Sequence, residues 1–439
     1  MTREKQSILA VRGRFLDITG VVESPSELDI RHFEDGLLLV KDGHIDGFGD
    51  WHEGKEKLPQ NCAVQDHRGK LIVPGFIDTH IHYPQAEIIG AYGEQLLEWL
   101  NNYAFPAEKQ YGDKSYAAEM ADFFVGQLLR NGTTTALVFC TVHPESVDAL
   151  FSAADKKNMR IIAGKVLMDR NAPKELLDTP ETGYSESKKL IEKWHKKGRL
   201  LYAITPRFAP TSTSKQLEMA GKLKQEYPDT YLHTHLSENR EEILWVKELF
   251  PERENYLDVY HHYGLTGSRS VFAHCLHLED REWQCLQDTD SAIAFCPTSN
   301  LFLGSGLFNL HRARENNVKV GMATDVGGGT SFNMLQTLNE AYKVMQLQKQ
   351  KFSAYEAFYL ATLGGAKALS LDHLIGNFDV GKEADFVVLD PKATALQAKR
   401  TKKSRNIEDL LFSLIILGDD RNIAHTYVYG QLVHKREES

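Results

Sequence analysis

Eight short apolar runs, rich in β-branched and aromatic residues, alternate with longer helical stretches between residue 71 and about residue 325. The stretch AAEMADFFVGQLLRNG, before the second run, has a helical pattern and ends with Gly132 as a C-cap. Eight strands that alternate with helices over about 250 residues predict an α/β fold with a (β/α)8, TIM-like barrel. The runs begin at Leu71, Thr133, Arg160, Leu200, Thr230, Ser270, Ser291 and Val318.

An open, doubly wound sheet is the alternative arrangement of the same elements. Polar side chains follow many different predicted strands, for instance His82, Glu238 and Asp325. In a barrel, the carboxyl ends of all the strands surround one centre, where such residues can build a common site. The pattern therefore favours the barrel.

Short strands with Gly/Asp turns flank the barrel: DGLLLVKDGHIDGFGD near the start, GNFDVGKEADFVVLD and AHTYVYGQLVHK near the end. We expect the two ends of the chain to pair into one small β-sandwich module. The expected domains are residues 1–70 and 375–439 for this module, and residues 71–374 for the barrel.

The formal net charge of −9 argues against a nucleic-acid-binding surface, which would need a basic stripe along the phosphates. The best apolar run, from Leu410 to Leu417, is much shorter than the ~20 residues that span a bilayer. We therefore expect a small-molecule substrate, with no nucleic acid and no membrane as partner.

The cysteines are five in number, and none of them forms a C-x-x-C pair. This usage fits reduced thiols in the cytosol better than a disulfide framework or a thiolate zinc site. The start of the sequence, MTREKQSILAVRGR, is charged and lacks the apolar core of a signal peptide. Both features predict a cytoplasmic location.

Candidate metal ligands follow four of the predicted strands. In PGFIDTHIH, two histidines lie two residues apart, so that both imidazoles leave a strand on the same face. The candidates are His80 and His82 after strand one, His233, His235 and Glu238 after strand five, His274 and His277 on strand six, and Asp325 after strand eight. A catalytic zinc ion needs several N/O ligands and one open position, and a barrel brings such strand ends together. The sequence therefore predicts a metal site.

The number of metal ions depends on the fourth strand. Binuclear sites of this kind carry a bridging, carbamylated lysine there, but the run AITPRFAP has none. Lys165 lies within strand three, where a solvated or packed lysine is the simpler interpretation. We expect one metal ion.

Hydrolysis at such a site requires groups that handle protons. A metal ion lowers the pKa of bound water toward neutrality. Asp325 and His274 are the candidates that hold and deprotonate this water, and Glu238 has the reach to deliver a proton to the substrate. The predicted catalytic residues are therefore Glu238, His274 and Asp325.

The motifs PGFIDTHIH, HTHLSEN, FAHCLHL and ATDVGGG, in this order, resemble those of the metal-dependent amidohydrolase superfamily. The stretch ATLGGAKALSL and the tail GNFDVGKEADFVVLD extend the likeness over essentially the whole chain. The nearest fit is to the mononuclear zinc aminohydrolase branch. This resemblance implies one Zn2+ per chain and a homodimer. Iron, as Fe2+, suits the same N/O ligands, so the identity of the metal stays open.

The resemblance also implies roles for individual residues. The implied zinc ligands are His80, His82, His235 and Asp325, and His274 would orient the zinc-bound water. The implied substrate-binding residues are His82, Gln85, Arg207, Phe208, His235, Glu238 and Asp325. The segments HIHYPQ, LLEWLNNYAFPAE and PRFAPTST are similar to those of enzymes that deaminate guanine.

The implied reaction converts guanine to xanthine and ammonia, with zinc-bound hydroxide attacking C2. Arg207 would donate to the O6 oxygen, since an arginine fork suits a carbonyl acceptor, and Gln85 can both donate and accept at a lactam edge. Glu238 would protonate a ring nitrogen. Either Phe208 or Trp99 could stack on the base.

Three other functions remain open at this stage. The first is an aminohydrolase of the same superfamily that acts on 8-oxoguanine, a pterin, a triazine or an adenine-type substrate; an arginine facing the amino group argues against adenine. The second is a cyclic amide hydrolase, which the missing bridging lysine disfavours. The third is a metal-stabilised scaffold protein, which would not require Glu238 and His274.

Overall fold

The computed structural model describes residues 7–21, 28–60, 62–92 and 95–437. These residues form sixteen strands, which build one parallel barrel and one separate sheet. The strands are β1 (Ile8–Val21), β2 (Leu28–Lys41), β3 (His44–Asp50), β4 (Val64–Pro74), β5 (Phe76–His82), β6 (Thr133–Phe139), β7 (Arg160–Gly164), β8 (Val166–Leu167), β9 (Leu201–Pro206), β10 (Tyr231–Leu236), β11 (Ser270–His274), β12 (Ala292–Phe295), β13 (Lys319–Met322), β14 (Phe386–Leu389), β15 (Ile423–Val428) and β16 (Gln431–Lys435).

The barrel contains all eight predicted strands in chain order, β5-β6-β7-β9-β10-β11-β12-β13, with the two-residue strand β8 paired to β9. The first and last strands meet through side chains and turns rather than a regular ladder. The Thr79 hydroxyl donates to the Met322 carbonyl at 3.0 Å, and the Asp325 N–H donates to the His80 carbonyl at 3.0 Å. The barrel prediction is confirmed, and the open sheet is excluded.

The strands from both ends of the chain form a second sheet in the order β16-β15-β14-β4-β1-β2-β3. The predicted separate β-module is thus confirmed, and its strands are hydrogen-bonded in one continuous sheet. The expected boundary after residue 70 falls within β4, because Leu71 to Pro74 pair with β14 in this sheet. The barrel begins at Phe76, after a break at Pro74 and Gly75. A Cβ on Gly75 would lie 2.1 Å from the Thr134 hydroxyl oxygen, so the two strands pass too closely there for a side chain.

Helices cover the outside of the barrel and the mouth at the carboxyl ends of its strands. The predicted helix before the second barrel strand is α4, which the Asp113 side chain caps by accepting from the backbone N–H groups of Ser115 and Tyr116. The helices are α1 (Trp51–Gly54), α2 (Leu96–Trp99), α3 (Phe105–Glu108), α4 (Lys114–Arg130), α5 (Pro144–Lys156), α6 (Pro180–Trp194), α7 (Ser214–Glu226), α8 (Arg240–Leu249), α9 (Tyr256–His262), α10 (Asp280–Asp288), α11 (Pro297–Phe302), α12 (Leu310–Glu315), α13 (Met334–Leu347), α14 (Ala354–Ala361), α15 (Leu363–Ala368), α16 (Ala395–Thr401) and α17 (Ile407–Leu417). Among the described residues, no helix combines the length and apolarity needed to cross a bilayer.

A buried cluster of charges joins the barrel to the terminal sheet. The Glu383 carboxylate, just before β14, accepts hydrogen bonds from the guanidinium groups of Arg160 and Arg199. Arg199 also donates to Asp385 at 2.5 Å. All four side chains are buried, so the hydrogen bonds between them must replace the water contacts that each charge has lost.

We expect Glu383→Ala to lower the free energy of unfolding by about 3–5 kcal/mol, because it leaves a buried arginine charge without its carboxylate. Urea unfolding would measure the change. Asp35→Ala is the matched control: it removes a partly exposed partner of Arg12 and should cost less than about 1 kcal/mol. Equal losses in both variants would show that the buried cluster adds nothing beyond a surface pair.

Candidate active site

Three imidazole nitrogens and one carboxylate converge at the carboxyl end of the barrel. The Nε2 atom of His82 lies 3.2 Å from His80 Nε2 and 3.2 Å from His235 Nε2. The Asp325 Oδ1 atom lies 3.1 Å from His80 Nε2 and 3.4 Å from His82 Nε2. The structure therefore brings together the four residues that the sequence predicts as metal ligands.

Neighbouring groups orient the histidine rings. The His235 Nδ1–H donates to the Arg207 carbonyl oxygen at 2.7 Å, which leaves Nε2 of the neutral ring as a bare lone pair. The His80 Nδ1 atom lies 2.7 Å from His233 Nε2, and this hydrogen bond fixes the orientation of the His80 ring. Burial lowers the pKa of His80, His82 and His235 well below the usual value, which favours the neutral rings that bind metals.

The donor set fits a metal ion in its chemistry and in its spacing. Ligand atoms about 2.1 Å from a tetrahedral zinc ion lie about 3.4 Å from one another, close to the separations found here. Lone pairs held this near one another repel unless a cation lies between them. A second overlapping group of His80, His274, Cys296 and Asp325 has its ligand atoms within 4.8 Å. Cys296 is the member that the sequence interpretation did not include.

His274 and Asp325 hold strained backbone conformations beside this cluster. Their φ angles are +72° and +51°, in the left-handed region that non-glycine residues rarely adopt. The His274 Nδ1–H donates to the Asn300 side-chain oxygen at 2.8 Å, which turns Nε2 toward Glu238 and Asp325 at 3.4 and 3.7 Å. Burial opposes a proton on His274, but these two carboxylates raise its pKa overall.

Glu238 is a buried carboxylate that has few polar contacts. It accepts a hydrogen bond from the Ser305 hydroxyl at 3.0 Å and faces the His274 ring. Burial raises the pKa of Glu238 to about 7, although the nearby His274 opposes the shift. A group with this pKa both gives and takes a proton near neutral pH.

A cavity extends from this cluster and is bordered by the segment that carries α2 and α3, through Leu96, Trp99 and Leu100. Its lining has a polar part, Gln85 and Arg207 (the polar wall), and an apolar part that includes Trp99 and Phe208 of one hydrophobic cluster. The residues lining it are His82, Gln85, Leu96, Trp99, Leu100, Arg207, Phe208, His235, Glu238, Glu242, His274, Leu303, Asp325 and Gly328. Every predicted substrate-binding residue lines this cavity.

Three of the histidines that the sequence offered as candidates lie outside the four-residue cluster: His274, described above, His233 and His277. His233 contacts His80, and the half-buried His277 has its Nε2 atom 3.0 Å from the Ser305 carbonyl oxygen. Lys165 is fully buried, and its amine donates to Asp178 at 2.6 Å. It is therefore packed in an ion pair, away from any bridging role.

Some residues at the site were missed by the sequence interpretation. Asn300 and Ser305 hold His274 and Glu238, and the buried Glu108 binds the side chains of Arg207 and Gln85. Glu108 is the last residue of the stretch LLEWLNNYAFPAE, and this position was the only available signal. Gly327 also helps to orient Gln85, because its N–H donates to the Gln85 side-chain oxygen at 3.2 Å.

Comparison with known proteins assigns the chain to a family. A model of the amidohydrolase family matches residues 71–433. Guanine deaminase of Escherichia coli (strain K12) is 64% identical over 438 residues, 99% of this chain and 100% of the relative. A solved structure of E. coli guanine deaminase superimposes with a TM-score of 0.96 at 65% identity, covering 98% of this chain and 100% of that one. Another, from C. acetobutylicum with guanine bound in the active site, has a TM-score of 0.87 at 28% identity, covering 98% and 100%. The chain therefore belongs to the amidohydrolase family, among its guanine deaminases.

Proposed function

We propose that this protein catalyses the hydrolytic deamination of guanine to xanthine and ammonia with one zinc ion per chain. The observation that carries the proposal is that Arg207 and Gln85 line the same cavity as His82, His235, Asp325 and Glu238. The relatives that match over the whole chain are guanine deaminases, which supports the same reaction.

The polar wall suits the oxygen-bearing edge of guanine. An arginine side chain has five N–H donors and no acceptor, so Arg207 can bind the O6 oxygen but not an amino group at that position. The aromatic rings of Trp99 and Phe208 in the same lining offer apolar surface for the flat base. We therefore assign recognition of the 6-oxo group to Arg207, with Gln85 beside it.

The chain's own residues hold and move the protons. His80, His82, His235 and Asp325 would hold the metal ion, whose contribution when bound is to lower the pKa of water so that hydroxide is available near neutral pH. His274, fixed by Asn300, orients the attacking oxygen and accepts a hydrogen bond or proton from it. Glu238, held by the Ser305 hydroxyl, delivers a proton to a ring nitrogen of the purine as the oxygen bonds to C2. The C2–amino bond then breaks, and the amino group leaves as ammonia with the proton that His274 has taken from the attacking oxygen.

An assay of xanthine formation tests this function. We expect the purified, metal-loaded protein to convert guanine to xanthine with release of one ammonia per turnover, and to be at least tenfold less efficient with adenine, a pterin, a triazine or 8-oxoguanine. Ultraviolet spectroscopy and ammonia detection would measure turnover, and metal counting would identify zinc or iron. Absence of xanthine from the metal-loaded protein would contradict the proposal.

The resemblance to this family also supports a homodimer in the cytoplasm. All five cysteines are free thiols, which suits a reducing compartment. Light scattering would measure the mass of the assembly, for which a dimer of the 49.7 kDa chain is expected.

A further inference from the structure

Glu108, the last residue of α3, is a buried carboxylate behind the polar wall of the cavity. It is 1% exposed, and the described residues that line the cavity do not include it. Its two oxygens accept from Arg207 Nη1 at 2.8 and 2.6 Å, and Oε1 also accepts from Gln85 Nε2 at 3.0 Å. One carboxylate therefore binds both of the polar side chains that we assign to the purine edge.

These contacts determine what Gln85 and Arg207 present to a ligand. The Gln85 amide is oriented from both ends, because its nitrogen donates to Glu108 while its oxygen accepts from the Gly327 N–H at 3.2 Å. Glu108 engages only Nη1 of Arg207, so that Nη2 and Nε keep their donors for other partners. The Arg207 guanidinium also lies 5.2 Å from the centre of the Phe105 ring, which limits its movement.

A buried ion pair alone would be weak evidence for function, since well-packed apolar residues often replace such pairs at no cost in stability. Here the acid comes from the segment of α2 and α3, which borders the cavity, whereas Arg207 follows β9 and Gln85 follows β5. The same carboxylate thus links the segment of α2 and α3 to the two side chains that we assign to the substrate. It also neutralises the charge of Arg207, whose burial would otherwise be costly.

We propose that Glu108 is a positioning residue that aligns Arg207 and Gln85 so that the cavity selects purines with an oxygen at C6. It acts through these two side chains and does not touch the substrate. The inference rests on the proposed function and adds to it the origin of the preference for a 6-oxo purine over one without that oxygen.

Binding of two purines without a 2-amino group tests this role without turnover. Hypoxanthine has the O6 oxygen and purine lacks it, and neither can be deaminated at C2. Isothermal titration calorimetry of the metal-loaded protein should give a lower Kd for hypoxanthine in the wild type. In Glu108→Gln we expect the preference for hypoxanthine, which is the Kd of purine divided by that of hypoxanthine, to fall tenfold or more, because Arg207 loses the charge-assisted hydrogen bonds that position it. The Kd of purine should change by less than threefold.

Glu98, an exposed residue on α2, ten residues before Glu108 in the same segment, supplies the matched control. Glu98→Gln should leave both Kd values unchanged. Metal content and circular dichroism report whether Glu108→Gln remains folded and loaded. If it does not, Glu108→Asp is the variant to test. Aspartate keeps the charge, but its side chain is one methylene shorter, so the preference for hypoxanthine should fall at least threefold.

Two results would overturn the proposal. One is an unchanged ratio of Kd values in a folded Glu108 variant, and the other is an equal rise for both purines, which is what a merely structural residue would produce. Failure of the proposed function looks different, because the wild type would then make no xanthine from guanine. If the wild type makes xanthine but the Glu108 variant keeps its preference for hypoxanthine, the role of Glu108 is rejected and the proposed function stands.

Discussion

Glu238→Gln should reduce kcat about 1000-fold while leaving the metal content and the fold intact, the range expected when a general acid–base is removed. The amide keeps the size of the side chain and its contact with the Ser305 hydroxyl, but it cannot deliver a proton. Steady-state xanthine formation measures kcat and KM, and metal counting with thermal unfolding shows that the rest of the site persists. We expect KM to change much less than kcat, since substrate recognition lies with Arg207 and Gln85.

Glu241→Gln is the matched control for this experiment. Glu241 lies three residues further along the chain, in the first turn of α8, but its side chain is exposed. Its loss should leave kcat within twofold of the wild type. Turnover by Glu238→Gln within tenfold of the wild type would assign the proton transfer to another group.

The barrel could be predicted because seven of its eight strands are short, separate apolar runs. The boundary between the terminal sheet and the barrel could not be predicted in the same way. The run from Leu71 to His82 is continuous in hydropathy, yet β4 pairs with β14 in the terminal sheet and β5 belongs to the barrel. Periodicity describes which residues are buried, not which partner strand buries them, so a run shared by two sheets looks like one strand.

The metal-binding side of the site could be predicted from strand ends alone. His80 and His82 share one strand, and His235 and Asp325 end others, so the barrel geometry brings them together without further information. Glu108, Asn300 and Ser305 have no such signal. Glu108 lies 99 residues from Arg207 in the sequence, and Asn300 lies 26 residues from His274. Their roles follow from contacts between loops and short helices, whose paths the residue pattern does not determine.

Removal of the metal should abolish turnover, to below about one hundredth of the original rate, since the ion contributes several kcal/mol to the chemical step. Dialysis against a chelator, followed by zinc at one equivalent per chain, should restore activity and raise the melting temperature, because an ion that binds only the folded state stabilises it. A titration that saturates at one metal ion per chain would support the mononuclear site, and saturation at two would contradict it.

His235→Ala should imitate the chelated protein, because it removes the ligand whose tautomer is held by the Arg207 carbonyl. The variant should bind zinc at least tenfold more weakly and lose the zinc-dependent rise in melting temperature. His262→Ala, at the exposed end of α9, is the control and should bind zinc as the wild type does. Full activity in a protein shown to contain no metal would contradict metal-assisted hydrolysis. Equal zinc affinity in His235→Ala and His262→Ala would show that His235 is not a ligand and that the other three residues hold the ion.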